Sequence, residues 1–169
     1  MREISDVLVN EKAEELVKAF RRAKKTFGTA ESCTGGLISK SVTDVAGASE
    51  IYFGSVVSYA NSVKAGMLGV SEKTLASVGA VSADCAMQMA LGARDALGVD
   101  VAVSVTGIAG PGGGTDEKPV GLVYIAVCFD DDRVVCKKCV FNGTRADIRR
   151  QSAVVAMETA INALTDINR

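Results

Sequence analysis

The chain has 169 residues, 48% apolar and 23% charged, with 19 Lys plus Arg against 20 Asp plus Glu for a formal net charge of −1. This size supports one domain over 1–169, and the balance excludes intrinsic disorder and a nucleic-acid binder driven by bulk positive charge. No stretch reaches the roughly 18 uninterrupted apolar residues of a membrane span, and the chain has no histidine, which removes the Ser-His-Asp triad, the Cys-His pair and imidazole-ligated zinc from its own chemistry. Any hydrolytic base must come from Lys, Tyr, Asp or Glu.

The start, Met1 to Asp6, lacks the apolar core of a signal peptide, so a reducing cytoplasm is the expected compartment. Residues 5 to about 25 predict an amphipathic helix, with Ala13, Leu16, Val17 and Phe20 at helical spacing. Its basic end, Arg21, Arg22, Lys24 and Lys25, is read as complementing the helix dipole rather than as a nucleic-acid patch. A short strand follows over 26–30, and Glu31-Ser32-Cys33-Thr34-Gly35-Gly36 turns into a helix reaching about Val45.

Ile51 to Tyr59 is a second strand, rich in Val, Tyr and Phe. Helices are expected from Asn61 through Leu68, from Ser71, and from Ser82, the last burying Ala86, Met89, Ala90, Ala93 and Leu97. Val99, Val101, Val103 and Val105 alternate with Asp100, Ala102, Ser104 and Thr106. One face is purely apolar and the other mostly small, the pattern of a central strand covered on both sides. It empties into the glycine-rich run Gly107 to Gly114.

Val120 to Phe129 and Arg133 to Phe141 then form a hairpin around Asp130, Asp131 and Asp132, which are read as turn residues rather than metal ligands. The second of these strands carries Cys136 and Cys139, a C-x-x-C pair. Residues three apart on a strand face opposite sides, so the two sulfurs diverge, and no second pair completes a zinc site. With Cys33, Cys85 and Cys128 they make an odd set of five cysteines without framework spacing. Thr144 caps a last helix through about Thr165. The fold class that follows is α/β: a three-layer α/β/α sandwich with a mixed sheet.

Four segments can carry chemistry. Ser32 sits at a strand end before glycines that open a helix, where backbone amides can hold an oxyanion or a phosphate. Cys33 is a rival nucleophile, and Ser32 is preferred because cysteine suits the buried side of the turn. Tyr59 and Lys64 straddle a strand-to-helix corner; a lysine in a dry pocket loses its proton more readily and can then serve as a base toward a serine. The β-lactamase pattern S-x-x-K is absent. The run Thr106 to Gly114 matches neither the P-loop nor a complete dinucleotide fingerprint, yet it occupies a ligand position at a buried strand's carboxyl end. Arg145 and Arg149 share one helix face near its N-terminus, where they can grip a phosphate.

Together, Thr29-Ala-Glu-Ser-Cys-Thr-Gly-Gly36, Tyr59-x-Asn61-x-x-Lys64, Gly107-Ile-Ala-Gly110-Pro-x-Gly113-Gly114, Lys118-Pro-Val-Gly121 and Phe141-x-Gly-x-Arg145 resemble the CinA C-terminal domain family in order and spacing over about residues 5–165. Ser55 departs from relatives that often carry a second glycine there. The resemblance implies a nicotinamide-nucleotide amidase, hydrolysing nicotinamide mononucleotide to nicotinate mononucleotide and ammonia with no metal and no cofactor. It implies Ser32 as nucleophile and Lys64, helped by Tyr59, as base, with amides around Thr34 and Gly35 stabilising the oxyanion. Gly36, Asn61, Thr106, Gly107, Gly110, Gly112, Gly113 and Arg145 complete the substrate site, Thr106, the glycine loop and Arg145 holding ribose and phosphate. The partner expected is thus a small-molecule nucleotide, neither nucleic acid nor membrane, with copies of the chain pairing as a dimer or larger homo-oligomer. Some members carry a further N-terminal domain that is not in this sequence. A catalytically silent nucleotide-binding module and a competence-associated interaction protein remain as alternatives.

Overall fold

The computed structural model describes residues 5–131 and 133–166. The readings of Met1 to Ile4 and of Asp132 lie outside the described residues. Helix α1 spans Asp6–Ala23; the Ser5 side chain accepts from the Leu8 amide at its start, and Lys24 closes it in the left-handed region at φ 54°. Strand β1 (Phe27–Glu31) leads into α2 (Leu37–Thr43), a single 3-10 turn and β2 (Tyr52–Val57). Three helices follow, α3 (Asn61–Leu68), α4 (Glu72–Ser77) and α5 (Ala83–Leu97), then β3 (Val101–Gly107), β4 (Leu122–Cys128), β5 (Val134–Val140) and α6 (Arg145–Asp166). The sequence predicts the six helices and five strands, with ends that differ by a few residues, but not the 3-10 turn.

The five strands form one sheet in the order β2-β1-β3-β4-β5, in which β4 alone runs against the others. Helices α1, α2 and α6 cover one face and α3, α4 and α5 the other, so the three-layer mixed sandwich stands. The alternation in β3 explains its central place. Val101, Val103 and Val105 are buried beside Leu16, Phe20, Ile148 and Met157 on the α1–α6 side, each burial favouring the fold by about 1.5–3 kcal/mol. Ala102 faces Met89 and Ala93 of α5, and the Ser104 hydroxyl donates to the Ala86 carbonyl at 2.6 Å. Small side chains on that face let α5 lie close to the strand.

Cys139 belongs to the core under α1 and α6, whereas Cys136 packs beside Ala86 and Ala90 on the opposite face. The two sulfurs diverge as strand alternation requires, and none of the five cysteines is joined in a disulfide. The basic end of α1 is tied down locally, Arg21 to Glu50 at 2.9 Å and Lys25 to Asp130 at 2.5 Å. At the other end of the chain, Thr144 and Asp147 cap α6 reciprocally: the Thr144 amide and hydroxyl both donate to Asp147 Oδ2, and the Asp147 amide donates back to Thr144 Oγ1. Ser55 lies within β2 and pairs with Thr29 of β1, two residues after the register shifts at Phe53.

Candidate active site

The chain leaves β1 for β2 on one side and returns to β3 on the other, so the carboxyl ends of β1 and β3 flank a topological switch point, where open α/β sheets hold ligands. A cleft of about 250 Å³ lies there, bounded by Ser32 and Cys33 after β1, Tyr59 after β2, the glycine loop after β3 and Arg145 of α6.

Lys64 reaches from α3 to the carboxyl ends of β1 and β2 and is only 1% exposed. Its Nζ lies 3.0 Å from Ser32 Oγ, donates to the Ser58 carbonyl at 2.6 Å and reaches the Tyr59 carbonyl at 3.4 Å. Burial pushes the Lys64 pKa below its ordinary value, opposed by the nearby thiols of Cys85 and Cys33. For the neutral form of this amine the partners leave one orientation. Two carbonyls can only accept, so they take the two N–H groups, and the lone pair is left facing the Ser32 hydroxyl. That is the orientation a base toward Ser32 needs.

The turn after β1 uses most of its amides internally. Ser32 N donates to Val105 O, Gly35 N to Ser32 O and Leu37 N to Thr34 O. Gly36 N, Ile38 N and Ser39 N all donate to the Glu31 carboxylate. Among the described hydrogen bonds only the amides of Cys33 and Thr34 in this stretch lack an acceptor on another residue. The amides without such an acceptor are therefore those of Cys33, which lines the cleft, and of Thr34, which is fully buried outside its lining, whereas the Gly35 amide, expected among the oxyanion donors around Thr34 and Gly35, is taken by the Ser32 carbonyl. Gly35 and Gly36 contribute their backbone conformation, φ +60° and +92°, which a side chain would strain.

Other expected residues divide into those at the cleft and those elsewhere. Gly107, Gly110, Gly112, Gly113, Tyr59 and Arg145 line it. The Arg145 guanidinium donates through Nη1 to the Gly110 carbonyl at 2.7 Å and through Nη2 to the Tyr59 hydroxyl at 3.1 Å. Tyr59 thus meets Lys64 through its backbone carbonyl and not its phenol. Thr106 is buried, and its hydroxyl donates to the Ala80 carbonyl at 2.8 Å on the α5 side, away from the cleft lining. Asn61 is exposed at the start of α3 and is also outside the lining. Arg149 does not join Arg145 in the cleft; its Nη2 donates to the Thr34 carbonyl at 2.6 Å and ties α6 to the nucleophile turn. Gly107 is required sterically, since a Cβ there would sit 2.7 Å from the Leu122 carbonyl.

Cys33 is a poor rival to Ser32, because burial pushes its thiol pKa up to about 11. Among the described residues no three His, Cys, Asp or Glu side chains come together in a way that could hold a metal ion. No helix among them is long and apolar enough to cross a membrane.

The chain's relatives share this architecture. The competence/damage inducible protein CihA from Agrobacterium tumefaciens superimposes with a TM-score of 0.90 at 40% identity, covering 98% of this chain and 99% of that one. The nicotinamide-nucleotide amidohydrolase PncC of Enterobacter agglomerans is 46% identical over 158 residues, 94% of this chain and 96% of that protein. A CinA-like protein of Leptospira borgpetersenii serovar Hardjo-bovis (strain L550) is 51% identical over 140 residues, 83% of this chain but 34% of that protein. The chain thus spans about a third of the length of the CinA-like relatives it matches. The profile of the CinA C-terminal domain matches residues 9–164, which takes in the Ser32 turn, Lys64, the glycine loop and Arg145. With a family profile matching residues 9–164 and a 46% identical relative aligned over 94% of this chain, the chain belongs to the CinA C-terminal domain family.

Proposed function

We propose that the chain is an amidohydrolase that converts nicotinamide mononucleotide to nicotinate mononucleotide and ammonia through an acyl-enzyme on Ser32. The observation that carries this reading is the 3.0 Å approach of Lys64 Nζ to Ser32 Oγ, in a lysine almost wholly removed from water and without a carboxylate among its hydrogen-bond partners. The substrate class is supported by the relative of the same length that bears the name nicotinamide-nucleotide amidohydrolase.

In this mechanism neutral Lys64 takes the Ser32 proton as Oγ attacks the carboxamide carbon. The carbonyl oxygen, now an anion, falls to the amides of Cys33 and Thr34; such donors are typically worth about 3 kcal/mol each. Lys64 then passes its proton to the amide nitrogen, the C–N bond breaks and ammonia leaves. Water attacks the resulting ester with Lys64 again as base, releasing the carboxylate and restoring Ser32. The phosphate end lies against Arg145 and the glycine loop, with the Tyr59 phenol beside the guanidinium. Nucleophile, base and oxyanion donors all come from the chain itself, so the chemistry calls for no metal. Five cysteines outside any disulfide, four of them buried, fit a reducing compartment.

The test is ammonia release from nicotinamide mononucleotide, followed with and without a chelator. Turnover unaffected by chelation supports the mechanism, and chelator-sensitive turnover restored by a divalent ion contradicts it. Binding of the nucleotide with no ammonia released would make the chain a silent nucleotide-binding module instead.

A further inference from the structure

Glu31, the last residue of β1, is fully buried, and backbone satisfies its carboxylate. Oε2 accepts from Gly36 N at 3.0 Å and Ile38 N at 3.2 Å, and Oε1 accepts from Ser39 N at 2.8 Å. Helix α2 has only seven residues and starts after Gly36, which offers no capping oxygen. A helix this short does not hold its first turn unaided. The amides of its second and third residues are those that a capping Ser or Asp would ordinarily accept from. Here Glu31 takes them from the far side of the turn, because Gly36 at φ +92° is committed to the bend.

We infer that Glu31 is a positioning residue for the nucleophile. Its carboxylate clasps both ends of the 32–36 turn, holds Ser32 Oγ against Lys64, and consumes the neighbouring amides so that those of Cys33 and Thr34 stay open. The inference rests on Ser32 being the nucleophile, as proposed above. Two glycines at positive φ make this turn intrinsically soft, and a misplacement of about 1 Å in a reacting group can cost roughly a hundredfold in rate. Arg149 adds a second tie, to the Thr34 carbonyl. Glu31→Gln keeps the shape but puts an NH2 where one carboxylate oxygen accepted, so one side of the clasp becomes donor against donor.

The experiment reacts the full-length chain with a fluorophosphonate, which forms a P–O bond to Ser32, expels fluoride and gives the serine proton to Lys64, so it needs no assumption about the natural substrate. Mass spectrometry locates the adduct, while its rate constant and final extent are measured separately. Glu31→Gln is expected to label to full extent but about a hundredfold more slowly. Ammonia release from nicotinamide mononucleotide should lose kcat to a similar degree with KM within threefold. A core variant remote from the cleft, Met157→Ala, controls for simple destabilisation by losing extent of labelling and not rate. Wild-type rates in folded Glu31→Gln would overturn the positioning role alone. A wild-type chain neither labelled on Ser32 nor releasing ammonia would overturn the functional reading, and the positioning role with it.

Discussion

Arg145 and Tyr59 meet across the mouth of the cleft, guanidinium Nη2 to phenol oxygen at 3.1 Å, although 86 residues separate them in the chain. The same guanidinium holds the Gly110 carbonyl through Nη1. Two of its five N–H donors are thereby fixed; the other three have no acceptor among the described hydrogen bonds, and a guanidinium fixed in this way can offer an adjacent pair of donors to an anion. The Tyr59 phenol is thus held beside Arg145 and not beside Lys64, which in the proposed mechanism puts it at the phosphate end and not with the base.

Kinetics can separate those two places. Arg145→Met is expected to raise KM for nicotinamide mononucleotide by about ten- to a hundredfold, the scale of a charged hydrogen bond to substrate worth about 1.5–3 kcal/mol. Tyr59→Phe should raise KM several-fold and leave kcat within about threefold, since only the orientation of Arg145 suffers. Loss of kcat in Tyr59→Phe with KM unchanged would show instead that the phenol carries a proton.

Ser32 and Cys33 make a second contrast. With its pKa at about 11, the Cys33 thiol is ionised to roughly one part in ten thousand at neutral pH, too little for an efficient nucleophile. Ser32→Ala is expected to abolish ammonia release while leaving thermal unfolding close to wild type. Cys33→Ala should keep turnover within about fivefold. The reverse pattern would assign the acyl-enzyme to sulfur.

Thr106 lies one strand from the nucleophile, yet its hydroxyl is spent on the Ala80 carbonyl. Thr106→Val should therefore cost stability, about 1–3 kcal/mol by denaturant unfolding because Ala80 loses a buried donor. KM should stay within about twofold. A large rise in KM with stability intact would return Thr106 to the substrate.

The sequence makes the scaffold legible because burial leaves a local pattern. The Val101-Val103-Val105 alternation places β3 at the centre, and Ser82 and Thr144 mark helix starts. Parity also puts Thr106 on the face of Ala102 and Ser104, toward α5, which is where its hydroxyl goes. The expectation that it holds substrate rests on its place at the head of the glycine run and on the resemblance, and not on that parity. Glu31 was harder to read, because the usual capping box spans three residues, whereas this carboxylate reaches back from five to eight residues before the amides it accepts. Arg149 depends on how α6 docks against the turn, a relation with no trace in local spacing. Which two amides remain open emerges only after every other amide in the turn has found its acceptor.

Lys64 provides the pH test. Its pKa falls from 10.5 because burial disfavours the ammonium. Between the lowered native value and 10.5, the unfolded chain binds a proton that the folded chain has released. Stability must therefore rise with pH through that window, and the cost of burying the charge is fully present below it. Turnover follows the same limb, rising with pH through the native value and levelling above it as the neutral amine fills. Wild type should accordingly gain stability relative to Lys64→Met as pH is raised toward 10.5, measured by urea unfolding at paired pH values. Lys64→Arg keeps a cation but cannot release its proton at any pH where the chain stays folded. It should lose turnover as severely as Lys64→Met, with no alkaline rise left in its profile. Near-normal turnover in Lys64→Arg would reduce Lys64 to an electrostatic contact and leave Ser32 to be deprotonated by some other group. The cleft lining offers Tyr59 for that part, and the alkaline limb would then have to disappear in Tyr59→Phe.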